Sequence, residues 1–434
     1  MPSCAPPSRR LDVIAAPPCE SAACCDGFGH VLFPRLRCVF YARSIDLRYR
    51  EEMKNLPRII TATAALETVC SALAGQPFVA VDTEFLRQTT YRAKLCLIQM
   101  AAPGHEVIID PLADIDLGPF YRLMADEGVV KVFHAARQDI EIIRQDSNVI
   151  PKPLFDTQLA AMALGYGEAI SYGGLVKKLL GRSHDKTYQA VDWCARPLSP
   201  RQLEYALGDV THLRDLYLKL KARLKEKGRE SWLEEEEALL MDPKTYAFDP
   251  ADAWKRLKVG GRPPAAQAII VELAAWRERT AQQENVPRGR VIKDEAIYEI
   301  AKHAPRSLEA LKRLRSVREI ANARGEDILR AVAAASERER TGADLETPMD
   351  LPASASATVE LLKVLLKAVS AELDVAPRLL ASAEDLEKLA QFDEPDIPAL
   401  RGWRRKYFGE KAMALKSGSL ALGLQANEVK LIRL

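Results

Sequence analysis

Three apolar, β-branched segments in close succession constrain this chain more than any other feature. FVAVDTEF (78–85), LCLIQM (95–100) and EVIIDPL (106–112) are separated by short polar or Gly/Pro-bearing breaks, a spacing that predicts a three-stranded meander. A helical stretch at 116–126 and another strand, VVKVFHA (129–135), follow. That strand runs into ARQDIEIIRQD, where Ile140, Ile142 and Ile143 mark the apolar side of a helix. Further helices are expected over 157–164, 172–180 and 200–226. Antiparallel strands, then a helix and a crossover strand, specify an α/β domain with a mixed sheet.

The domain is expected to close near the acidic run EEEE (234–237) and the turn MDPK. Four adjacent carboxylates point in different directions around a helix, so the run reads as a solvated face and not a metal site. GGRPP (260–264) is a linker signal. Residues 265–340 then show helical periodicity, and a second linker, ETPMDLPASASA (346–357), precedes another helical block that runs to the C-terminus. Both blocks order a long helix, a DEAIYEIA or AEDLEKLA helix, a basic stretch, a glycine and a final helix. They read as a diverged repeat of one small helical domain.

At 434 residues the chain is long enough for two or three domains. Its 62 basic and 60 acidic residues nearly cancel, so overall charge neither requires nor excludes a nucleic-acid partner, and local patches must decide. No apolar run approaches the roughly 18 residues of a membrane span. Residues 1–52 are rich in arginine and proline and contain no lysine. LDVIAAPP is too short for a secretory signal, and Asp12, Glu20, Asp26 and Asp46 break the acid-poor pattern of a mitochondrial presequence. The composition changes at Met53, and the expectation is a native start there, with 1–52 an unstructured or mis-called extension. Five of the eight cysteines precede Met53. The other three, Cys70, Cys96 and Cys194, have no metal-ligand spacing and read as buried, reduced thiols.

Asp82 and Glu84 stand two apart on the first strand, so both project from one face. Two same-face acids at the end of an apolar strand repel each other unless a cation lies between them. A solvent-exposed strand end is the alternative, and the pair alone does not decide. Asp139 falls in the first turn of the helix after the fourth strand. Tyr205 and Asp209 are four apart on a helix and share its face, with Asp209 among Leu203, Ala206, Leu207, Val210 and Leu213. An unpaired carboxylate is costly there, although capping or an ion pair would also account for either aspartate.

VDTEF, HAARQDIEII and YALGDV in this order resemble the three exonuclease motifs of the DEDD superfamily in its tyrosine-bearing branch. The intervening LCLIQM, FDTQLAA and DKTYQAVDWCARPLSPRQLEYALGDVTHL are similar to the ribonuclease D family over about 55–240. The resemblance implies a ribonuclease H-like 3′-5′ exonuclease domain at 53–245. Two small all-α HRDC-like domains, at 262–342 and 355–434, would follow. It further implies that Asp82 bridges two divalent ions, that Glu84 and Asp209 complete the first ion's ligands, and that Asp139 holds the second. Tyr205 would lie beside the attacking water; His212 follows Asp209, where the histidine branch would place its histidine before it.

Phosphodiester hydrolysis needs a hydroxide made near neutral pH and a stabilised leaving oxygen, and two metals supply both. An all-carboxylate set suits Mg²⁺ or Mn²⁺ over zinc. A tyrosine is too weak a base for this task, so Tyr205 is expected to orient the water. Phe85 would stack on a terminal base or serve the core. The resemblance alone offers His134, Lys186, Trp193 and Arg196 as substrate-adjacent. KRLRSVR (312–318) and RGWRRK (401–406) would bind phosphates or form solvated faces. The expected function is cytoplasmic exoribonuclease action on the 3′ ends of precursor tRNAs and small structured RNAs, releasing 5′-mononucleotides, without an obligatory protein partner. A DNA exonuclease, or a catalytically silent nucleic-acid-binding protein, is the alternative.

Overall fold

The computed structural model describes residues 59–185, 187–189, 191–340 and 353–434. The expectations for residues 1–52, for Lys186 and for the start of the second linker lie outside the described residues. Six strands form one mixed sheet: β1 (Ile59–Ile60), β2 (Phe78–Leu86), β3 (Lys94–Ala102), β4 (His105–Ile109), β5 (Val130–Phe133) and β6 (Leu154–Asp156). Their spatial order is β1-β4-β3-β2-β5-β6. The expected meander is β2-β3-β4, antiparallel throughout, while β5 joins β2 in parallel and β6 joins β5 in parallel.

Helices α1 (Thr63–Ala74), α2 (Gly118–Ala125) and α3 (Arg137–Ser147) share one core with Val79 and Val81 of β2. Helices α4 (Thr157–Ala163), α5 (Tyr172–Leu180) and α6 (Pro200–Lys227) share another with Phe78 and Ala80. The two-residue period of β2 thus assigns its side chains alternately to two helical layers. Continuing the alternation, Thr83 falls to the α3 side, and Asp82 and Glu84 to the α6 side. Helix α6 starts at a capping box between Ser199 and Gln202, with Pro200 at its first position, so its boundary is set by sequence. It is followed by α7 (Glu230–Met241).

The first helical block runs from α8 (Pro264–Glu284) through α9 (Arg288–Val291), α10 (Asp294–His303) and α11 (Leu308–Lys312) to α12 (Ile320–Arg340). Its core also takes in Ala253, Trp254, Leu257 and Val259, which precede the GGRPP turn. This block holds the β2–β3 loop. The Tyr91 hydroxyl donates to Glu278 and accepts from Gln282 Nε2 and Arg288 Nη2, each at 3.1 Å. The second block comprises α13 (Ala353–Leu373), α14 (Pro377–Leu380), α15 (Ala383–Gln391) and shorter turns. Where a final helix was expected, it ends in the hairpin β7 (Leu420–Gln425) and β8 (Glu428–Arg433). Alternating Leu420, Leu422 and Leu424 set the strand, and Ala426 and Asn427, with φ of 51° and 65°, form the turn.

Three sequence expectations are corrected by packing between distant segments. The acidic run on α7 is not a solvated face: Glu235 and Glu236 pair with Arg404, and Glu237 is buried and accepts the Asp156 N–H at 2.9 Å. The second basic cluster is structural in part: Arg404 is buried and Trp403 stacks on Trp232 at 4.1 Å, while Arg401, Arg405 and Lys406 are exposed. In the first cluster Lys312, Arg313, Arg315 and Arg318 are exposed. Cys96 and Cys194, expected as reduced thiols, form a disulfide across 98 residues with Cα atoms 5.1 Å apart, whereas Cys70 is free and buried.

Candidate active site

Strand β2 supplies Asp82 and Glu84 and helix α6 supplies Asp209, and one carboxylate oxygen from each lies within 4.8 Å of the others. Asp139 enters from the first turn of α3, and Tyr205 stands one turn before Asp209. All five line one cavity of about 300 Å³ together with Thr83, Phe85, His134, Gln138, Tyr172 and His184. The four acids and the tyrosine singled out in the sequence are therefore brought together by three elements from two sides of the sheet.

The turn that aims α3 is built with care. Ala135 has φ of 59°, a left-handed conformation costing a non-glycine residue on the order of 1 kcal/mol. The carboxylate of Asp156, only 2% exposed, accepts the N–H groups of Ala135 (3.0 Å) and Ala136 (2.9 Å) and holds the turn. It also caps α4 by accepting from Gln158 and Leu159. Glu237 in turn accepts the Asp156 N–H. Asp139 is fixed on its other side by Thr83, whose hydroxyl donates to Oδ1 at 2.5 Å.

Burial raises all four acids above the usual carboxylate range, and the neighbouring charges add to it at Asp82 and Glu84. Burial, then the charges of Asp209, Asp139 and Glu84, pushes Asp82 well above the usual carboxylate range. Glu84 is pushed up to about 9 by burial and by Asp209 and Asp139. Burial raises Asp209 to about 8. It raises Asp139 to about 7, against the lowering effect of the Thr83 hydrogen bond. A divalent cation would relieve this cost, and an all-oxygen donor set fits a hard ion such as Mg²⁺ or Mn²⁺. Burial and the neighbouring Asp209 also raise Tyr205, so it stays a neutral hydroxyl able to donate.

The substrate-adjacent residues divide. Phe85 and His134 line the cavity, with His134 Nδ1 3.0 Å from Thr157 Oγ1. Trp193 and Arg196 do not line it. Trp193 is 3% exposed and packs on the Tyr205 ring at 5.9 Å, so it supports the tyrosine from behind. The Arg196 guanidinium is taken up by both oxygens of Asp110, each at 2.7 Å, and by the Cys96 carbonyl. His212 turns away, its Nδ1 2.6 Å from the Gly208 carbonyl.

Sequence reasoning passed over Thr83, Asp156, Tyr172 and His184. Thr83 stands between the two acids, and the alternation of β2 sends it toward α3. Asp156 carried the signal of an N-cap, an aspartate directly ahead of TQLAA. Tyr172 donates to the carbonyls of Gly208 (3.0 Å) and Asp209, a contact with no local signature. His184 lies in an irregular loop, where periodicity says nothing.

The chain is similar to known proteins over most of its length. Residues 57–225 match the 3′-5′ exonuclease family model and residues 266–332 match the HRDC domain. Ribonuclease D of Nitrobacter hamburgensis is 50% identical over 375 residues, covering 86% of this chain and 98% of that protein. Ribonuclease D of Bartonella henselae is 44% identical over 386 residues, covering 86% and 93%. Among solved structures, Escherichia coli RNase D, an exoribonuclease involved in structured RNA processing, superposes with a TM-score of 0.74. It is 28% identical and covers 83% of this chain and 99% of that one.

Proposed function

This chain belongs to the ribonuclease D family and is a 3′-5′ exoribonuclease, and from that premise we propose that it trims the 3′ ends of precursor tRNAs and other small structured RNAs in the cytoplasm, releasing 5′-mononucleotides. The observation that carries the proposal is the convergence of Asp82, Glu84 and Asp209 within 4.8 Å on the wall that bears Tyr205. The exonuclease segment, 53–245, performs the chemistry in this reading. The helical segments 262–342 and 355–434 position the RNA, the first through its exposed Lys312, Arg313, Arg315 and Arg318.

Asp82, Glu84 and Asp209 would hold one divalent ion, and Asp139 would contribute to holding a second, either Mg²⁺ or Mn²⁺. Such ions, when bound, lower the pKa of water and stabilise charge on the leaving 3′-oxygen. Tyr205 orients the attacking water through its hydroxyl, since its raised pKa keeps it protonated and leaves no phenolate to act as a base. Phe85, which lines the cavity beside Glu84, stacks on the terminal base without reading its identity.

The test is incubation of the full chain with 3′-extended precursor tRNA and a divalent ion, with products resolved over time. Stepwise shortening to 5′-mononucleotides, abolished by a chelator and restored by Mg²⁺ or Mn²⁺, is expected. Internal cleavage, or trimming that survives chelation, contradicts the proposal.

A further inference from the structure

We propose that His184 is a positioning residue for this site, its imidazole donating a hydrogen bond to Asp209 and fixing that carboxylate for the cation. The inference rests on the reading of Asp209 as a metal ligand. His184 Nε2 lies 3.2 Å from Asp209 Oδ1, and the two side chains are only 8% and 11% exposed. The contact joins the loop between α5 and α6 to the interior of α6, so it is not a product of local chain geometry.

The ring is held as well as placed. Tyr172 meets it edge-on at 5.0 Å and 90°, and Tyr205 packs against it at 5.2 Å and 44°. Tyr172 also donates to the Asp209 carbonyl, so one tyrosine restrains both the backbone of Asp209 and the imidazole that meets its side chain. Among the described residues the cluster of mutually close ligand atoms contains Asp82, Glu84 and Asp209, without His184. The imidazole therefore meets Asp209 at the cavity wall without joining that cluster. A donor on Oδ1 restrains rotation of the carboxylate and leaves Oδ2 free of this contact. Partners that orient a metal ligand in this way contribute about 10–100-fold in metal affinity or activity.

Two substitutions separate this role from simple packing. His184→Phe keeps an aromatic ring between Tyr172 and Tyr205 and removes the donor. His184→Gln keeps an N–H donor at comparable reach and removes the ring. Mn²⁺ binding to the full chain without RNA is measured by electron paramagnetic resonance of the free ion, alongside kcat and KM on a short RNA. A loss of Mn²⁺ affinity on the order of 10–100-fold is expected for His184→Phe, with kcat reduced, KM little changed and most of the loss recovered in His184→Gln. Normal affinity in His184→Phe, or equal losses in both variants, overturns the inference. Asp209→Asn identifies which reading has failed. If it binds Mn²⁺ like the unmodified chain, Asp209 is not a ligand and the proposed site is wrong. If it loses Mn²⁺ while both His184 variants bind normally, only the positioning role is wrong.

Discussion

The hydroxyl of Thr83 donates to Oδ1 of Asp139 at 2.5 Å, so the residue between the two acids of β2 fixes the acid that α3 brings from the opposite layer. Thr83→Val keeps the shape and removes the donor. An activity loss on the order of 10–100-fold is expected, with Thr83→Ser recovering most of it. Wild-type turnover by the valine variant would show that α3 alone places Asp139.

Tyr205 shares the cavity wall with Asp209 and is held neutral by burial and the acids around it. Tyr205→Phe retains the ring packing against Trp193 and His184 and removes the hydroxyl. Loss of water orientation is expected to lower kcat by on the order of 10², with RNA binding retained in a filter-binding assay. Weakened RNA binding at normal kcat would move Tyr205 from chemistry to substrate capture.

The raised acids make stability depend on pH with a definite sign. The unfolded chain releases its carboxylate protons near pH ~4, whereas Asp139, Asp209 and Glu84 hold theirs to about 7, 8 and 9. Across that window the folded, metal-free protein binds more protons, so its stability falls as pH rises. The Tm in a chelator is therefore expected to drop between about pH 5 and 9, and Mn²⁺ should raise Tm more at pH 8 than at pH 6. Proton release on Mn²⁺ binding, measured by calorimetry in buffers of different ionisation enthalpy, is expected from the same linkage. A Tm in chelator that rises over this range would contradict the electrostatic account.

Arg196 is engaged by Asp110 and by the carbonyls of Cys96 and Trp193. It anchors the loop that carries Trp193 to β3 and to the C-terminal end of β4. Arg196→Ala is expected to cost about 1.5–3 kcal/mol in urea unfolding, the range for hydrogen bonds to charged groups, with little change in KM for RNA. An unchanged unfolding midpoint with a KM raised tenfold or more would restore Arg196 as a substrate contact.

The parts of the site that were legible in sequence are those that lie on periodic elements. Alternation along FVAVDTEF placed Asp82 and Glu84 on one face, and a four-residue step placed Tyr205 beside Asp209. The same periodicities give β2 and α6 in the fold. What was not legible depends on segments far apart in the chain. The acidic run of α7 takes its meaning from Arg404, about 170 residues downstream, which no local pattern announces. The Cys96–Cys194 pairing likewise spans 98 residues. His184 sits in a loop without periodicity, and its role becomes visible only when α6 brings Asp209 to it. The terminal hairpin had its own signal, a two-residue alternation in LALGLQ, hidden by the expectation that the two helical blocks repeat each other.

Asp82 faces both Glu84 and Asp209 within the 4.8 Å cluster, and Asp139 adds to its repulsion, so it is the acid most directly coupled to the other three. The measurement that tests the account most directly compares the full chain with Asp82→Ala on 3′-labelled precursor tRNA and on labelled single-stranded DNA, each with Mg²⁺ or Mn²⁺. The account predicts stepwise release of labelled nucleotide from RNA by the unmodified chain, little release from DNA, and a loss on the order of 10³-fold or more in the variant. Trimming of RNA that survives the substitution would contradict it, as would equal degradation of DNA.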